Sequence, residues 1–166
     1  VLRDILARMI AHKDEPRTAG PAQDAAVLVV DDSRTVVRGL QLLLEREGYL
    51  TYQAADGEQA IAMARRHHPD LILMDIVMPV MNGFEATRAL VNDPQTAAIP
   101  IIMVSGAEQP ADRIWGMRLG AKGFLAKPVN RDELIAKVRN TIAVSRRVRE
   151  RGETQTVPAG LDTLRR

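Results

Sequence analysis

The sequence predicts an α/β fold in which a five-stranded parallel sheet carries helices on both faces. Two observations predict it. Short, continuously apolar segments rich in Val, Ile and Leu recur along the chain and read as strands buried on both sides. Between them lie amphipathic stretches, so that five strand–helix units follow one another from about residue 25 to residue 145. Right-handed crossovers leave few topologies for such a chain. The flavodoxin-like, doubly wound order 2-1-3-4-5 is the expected one.

Each unit has its own signals. "AAVLVV" (Ala25 to Val30) is the first strand, and "SRTVVRGLQLLLEREG" the first helix, with Ser33 as N-cap and Gly48 at its stop. "YLTYQAA" and "GEQAIAMARRHH" form the second unit, stopped by Pro69. "DLILMD" and "GFEATRALVND" form the third, stopped by Pro94. "IPIIMVS" and "ADRIWGMRLGA" form the fourth, and "KGFLAK" with "NRDELIAKVRNTIAVSRR" the fifth. Before them, Leu2, Ile5, Leu6, Met9 and Ile10 fall at helical spacing, and "HKDEPRTAGPAQD" breaks that pattern as a linker. The expected organisation is an amphipathic helix and linker over 1–24, a folded domain over 25–145, and a basic flexible tail over 146–166. The apolar face at the start needs a partner: the domain itself, a second copy, or an upstream domain, which the opening Val1 leaves open.

Composition narrows the function. No apolar run approaches the roughly 20 residues of a membrane span, and Arg3, Asp4 and Arg8 interrupt the start, so no signal peptide is read there. The absence of cysteine excludes disulfides, thiol catalysis and thiolate metal sites, and fits a reducing, cytoplasmic setting. Residues 25–145 carry 13 Lys and Arg against 14 Asp and Glu, so the domain is no nucleic-acid footprint. Residues 146–166 carry six Arg against three acids. A solvated extension explains that tail better than a DNA-binding arm.

Sites in such sheets lie at the C-terminal ends of the strands. The first strand ends in Asp31 and Asp32, the third in Asp75, the fourth in Ser105 and the fifth in Lys127. The fold brings these ends to one rim. Three carboxylates there repel one another unless a cation intervenes, and oxygen-only ligands favour a hard divalent ion such as Mg²⁺. A carboxylate beside that ion can act as a nucleophile towards a phosphoryl group, with Lys127 balancing charge and Ser105 donating a hydrogen bond. His67 and His68 read as a helix end, and Met74, Met78, Met81 and Met103 as packing. Trp115 reads as partly buried, or as a partner anchor on the fourth helix.

"VLVVDDS", "LILMDIVMPVMNG", "IIMVSGA" and "GFLAKPV" resemble, in order and spacing, the signature blocks of response-regulator receiver domains. The segments around "DIVMPVMNGFEATRAL" and "RIWGMRLGA" resemble the single-domain regulators of type IV pilus twitching motility, and more broadly chemotaxis regulators. The resemblance implies that a sensor histidine kinase phosphorylates Asp75. It implies Mg²⁺ held by Asp32, Asp75 and the main-chain carbonyl of Val77, with Asp31 assisting. Lys127 would bind the phosphoryl oxygens, while Ser105 and Phe124 would act as the switch pair. A cis Lys127–Pro128 peptide is expected, as is a downstream target on the face of the fourth helix, fifth strand and fifth helix. Val77 and Ala107 stand where members of the family vary. The resemblance implies no enzyme beyond self-phosphorylation from a donor and self-dephosphorylation. A phosphate sink, or a receiver cut from a hybrid kinase or multidomain regulator, are the alternative readings, and homodimerisation stays open.

Overall fold

A computed structural model describes residues 24–106 and 110–154. The predicted helix over the first residues, Ala107 and the end of the tail lie outside them. Strands β1 (Ala26–Val30), β2 (Leu50–Ala54), β3 (Leu71–Asp75), β4 (Ile101–Ser105) and β5 (Gly123–Ala126) alternate with five helices. These are α1 (Arg34–Arg46), α2 (Gly57–His67), α3 (Gly83–Asn92), α4 (Pro110–Leu119) and α5 (Arg131–Thr154). All neighbouring strands pair in parallel, in the order β2-β1-β3-β4-β5. The sheet is the one the sequence predicts.

Alternation along each strand divides the core into two layers. Val27, Val29, Leu71, Leu73, Ile102, Val104 and Leu125 meet α1 and α5 through Leu40, Leu44, Leu134 and Val138. Leu28, Val30, Ile72, Met74, Ile101, Met103 and Phe124 meet α2 and α3 through Ala60, Ala64, Ala86 and Leu90. Every residue of β3 and β4 is buried, including Asp75 and Ser105. Each fully buried Leu or Ile contributes about 2 kcal/mol of transfer free energy. Helix α4 is the exception in this architecture, because Gly116 is its only buried residue and Ile114, Trp115 and Met117 are exposed.

Local chemistry sets the helix ends. Ser33, Asp56 and Asn82 accept from the amides of Val36, Gln59 and Glu85 at the starts of α1, α2 and α3. Asn130 accepts in the same way from Glu133 at the start of α5. Gly48 (φ 92°) follows α1, and His68 (φ 45°) turns the chain out of α2 before Pro69. His67 stacks on Tyr52, with ring centroids 4.2 Å apart, so it is a packing residue of the β2–α2 layer.

The last helix corrects the sequence reading. It runs to Thr154, so residues 146–154 are helical where a flexible tail was expected from residue 146. Two features accompany the extension: Arg146 pairs with Asp70 at 3.8 Å, beside the start of β3, and no glycine or proline interrupts α5 before Gly152.

Candidate functional site

Parallel pairing fixes where the strands end, and that places the site. β1 releases the chain at Asp31 and Asp32, β3 ends on Asp75, β4 on Ser105, and β5 just before Lys127. The Lys127 amide donates to the Ser105 carbonyl at 2.8 Å, continuing the sheet register one residue past β5. The five residues the sequence singled out therefore meet at one rim. Lys127–Pro128 is cis, as expected.

Asp31, Asp32 and Asp75 each offer a carboxylate oxygen within 4.8 Å of the others. Asp31 and Asp75 are buried and Asp32 is exposed, so the cluster opens to solvent on one side. The Lys127 ammonium lies 2.6 Å from Asp31 Oδ2 and 3.2 Å from Asp75 Oδ1. Asp31 Oδ1 also accepts from the Ser33 amide at 2.9 Å, which fixes that carboxylate at the N-terminus of α1.

Electrostatics follow from this packing. Burial, and then the neighbouring Asp31 carboxylate, push the Asp75 carboxyl above its ordinary value, against the opposing pull of Lys127. Burial by itself would lower Lys127, but its bonds to Asp31 and Asp75 outweigh that and hold the ammonium above its ordinary value. Three carboxylates against one ammonium leave a deficit of two positive charges. The donor set is oxygen only, three acids deep and open on one side. That chemistry suits a hard divalent cation that keeps part of its water shell.

The loop after Asp75 is shaped around the site. The Gly83 amide donates to the Ile76 carbonyl at 2.8 Å, and the Gly57 amide donates to Met81 O at 3.2 Å. A Cβ on Gly57 would lie 2.8 Å from that same oxygen. Val77 and Val80 are exposed on the loop, and Val80 adopts φ 67°, an uncommon backbone for a β-branched residue. Phe124 is buried at the α4 side of β5, with the Arg113 guanidinium 5.4 Å from its ring centroid. Lys137 of α5 donates to the Phe124 carbonyl and ties β5 to that helix. Sequence reading did not single out Gly83 or Arg113. The Asn82-Gly83 pair was a signal for the first; the contact made by Arg113 had none.

Comparisons with known proteins agree with this geometry. The family model described as "Response regulator receiver domain" matches residues 27–139. PilH of Pseudomonas aeruginosa is 44% identical over 119 residues, a match covering 72% of this chain and 98% of PilH. The response regulator PleD of Caulobacter vibrioides is 44% identical over 116 residues, but there the match spans only 26% of the relative. Among solved structures, the Vibrio cholerae chemotaxis protein CheY4 superposes with a TM-score of 0.68 at 36% identity, covering 71% of this chain and 98% of CheY4. The response regulator domain of Thermotoga maritima CheB gives 0.66 at 32% identity over 72% of this chain and 97% of that one. A buried parallel sheet with acids, a hydroxyl and a lysine at its strand ends, matched by family and fold over most of its length, places the chain in the response-regulator receiver family, the phosphoacceptor modules of two-component signalling.

Proposed function

We propose that Asp75 is the phosphoacceptor of a Mg²⁺-dependent switch that takes its phosphoryl group from a histidine kinase. The observation that carries this is the Asp75 carboxylate itself, buried at a strand end yet within 4.8 Å of two further acids and 3.2 Å from the Lys127 ammonium. Receiver domains bind Mg²⁺ at an acidic pocket, and the cation would be held here by Asp32, Asp75 and the Val77 carbonyl, with Asp31 assisting. It would supply charge balance for the transferring oxygens.

The residues of the chain do the rest. Asp75 Oδ attacks phosphorus, the phosphorus–nitrogen bond of the donor phosphohistidine breaks, and the leaving imidazole carries away the electron pair. Lys127 lies where it can follow the incoming charge from Asp31 and Asp75 onto a phosphoryl oxygen. The Ser105 hydroxyl donates to another, and Phe124 responds behind it. The readout is the face of α4, β5 and α5, where Ile114, Trp115 and Met117 stand ready for a target protein. The reaction is the chain's own phosphorylation and dephosphorylation, in the cytoplasm where kinase and donor meet.

The likeness to PilH and to the chemotaxis protein CheY4 supports a role in motility-type signalling. The test is intact-mass measurement after incubation with acetyl phosphate. One added phosphoryl group that requires Mg²⁺ is expected. No addition, either from acetyl phosphate or from a phosphorylated kinase, would overturn the proposal.

A further inference from the structure

At the N-terminal edge of the sheet, opposite the acid cluster, lies a groove of about 540 Å³. Val91, Ile99 and Pro100 line it from α3 and the approach to β4, and α5 lines it from Asn140 to Arg149. On that helix Val144 and Val148 are 56% and 64% exposed, one turn apart. The stretch of α5 along the groove is about 14 Å long at 1.5 Å per residue.

The same chain carries an apolar stripe of matching size. Leu2, Ile5, Leu6, Met9 and Ile10 recur at helical spacing, and as a helix they would span about 12 Å. A helix that short is not stable alone in water and needs a surface on which to bury its stripe. The described chain begins at Asp24, beside Ala25, whose carbonyl accepts from Leu50 at the start of β2. It therefore joins the sheet at the edge where the groove lies. β4 is two strands from β1, roughly 10 Å away. Residues 12–23, fully extended, reach up to about 40 Å.

We propose that this groove is the docking site of the chain's own segment Val1–Ala11, which lays its apolar stripe against Val144 and Val148. The tether decides the occupant. A tether of only 12 residues would present the segment at an effective concentration on the order of millimolar, far above that of a second copy in dilute solution. Docking at this edge leaves the acid cluster open and fastens the second half of α5, which extends past residue 139, where the receiver-family match ends. The inference is independent of phosphorylation.

The absence of native cysteine makes the test clean. A double variant, Leu6→Cys with Val148→Cys, is oxidised gently and followed on a non-reducing gel. The control pairs Leu6→Cys with Leu50→Cys, an exposed position on the strand next to β1 and so nearer the tether. Docking predicts an intramolecular disulfide at least tenfold faster for the first pair than for the control. Equal rates would mean that the segment merely samples the surface, and a disulfide confined to dimers would assign the groove to a second copy. Either result overturns the proposal.

Discussion

A Cβ placed on Gly83 would sit 2.0 Å from the main-chain oxygen of Asp75. The start of α3 thus presses directly on the backbone of Asp75, and Gly83 donates to Ile76 one residue further on. Because the obstacle is backbone, no side-chain movement relieves the clash. Gly83→Ala should therefore cost about 2–3 kcal/mol in urea unfolding, at the upper end of overpacking penalties. It should also slow phosphorylation by displacing Asp75. A variant as stable and as reactive as the native chain would show that the loop has room the geometry denies.

A divalent cation bound at the acid cluster would compete with Lys127 for the same carboxylates. Lys127→Ala removes the ammonium now 2.6 Å from Asp31 and 3.2 Å from Asp75. Leaving two buried acids without their cation should destabilise the metal-free protein by about 2 kcal/mol, less than for a fully enclosed pair, since the lysine is partly exposed. Mg²⁺ should restore much of that loss and bind the variant more tightly than the native chain. Phosphorylation should nevertheless fall by a factor on the order of 100, because the charge proposed to meet the transferring oxygens is gone. Urea titrations with and without Mg²⁺, with initial rates of phosphorylation, separate the two effects.

The raised pKa of Asp75 makes a signed prediction. The folded state holds the Asp75 proton more tightly than the unfolded state, whose carboxyl has the ordinary value of 3.8. Stability from this group is present below that value and is lost as pH rises through the folded value. Metal-free Asp75→Asn should accordingly melt higher than the native chain at pH 7, and the difference should shrink in acid. The raised Lys127 acts in a separate window: its contribution is present below 10.5 and disappears only at more alkaline pH. At a Mg²⁺ concentration of 100 times Kd, the native chain should gain about 2.7 kcal/mol, and the Asn variant less. Melting curves in chelator and in Mg²⁺ across pH 4 to 8 check the Asp75 sign and the metal effect.

Trp115, the chain's single tryptophan, stands half-exposed on α4. That helix is anchored at Gly116, where an added Cβ would approach Met103 Cγ to 3.3 Å, and by Arg113 over Phe124. So lightly held an element would be the first to respond to a movement of Phe124. The emission maximum of Trp115 should shift on phosphorylation in the native chain and stay fixed in Asp75→Asn. An unchanged spectrum in fully phosphorylated protein would rule out α4 as the readout.

How much of this was legible in the sequence depends on range. Asp31, Asp32, Asp75, Ser105 and Lys127 could be placed on one rim because doubly buried strands imply a parallel sheet, and a parallel sheet aligns strand ends. Ser33 as a cap was legible for a local reason, because it directly precedes the amphipathic run of α1. The length of α5 was not, because its last turns are rich in arginine and one of them, Arg146, finds its partner, Asp70, 76 positions away in the chain. Gly83 against Asp75 and Arg113 over Phe124 are likewise contacts between elements. No periodicity records them.

The central claim is that Asp75 is the residue that carries the phosphoryl group. Borohydride reduction of protein phosphorylated by acetyl phosphate and Mg²⁺, followed by tandem mass spectrometry, reads the acceptor directly, since reduction of an aspartyl phosphate leaves homoserine. Homoserine at position 75 alone is the predicted result. Homoserine at 31 or 32, or a phosphoryl group that survives reduction on another side chain, would contradict it.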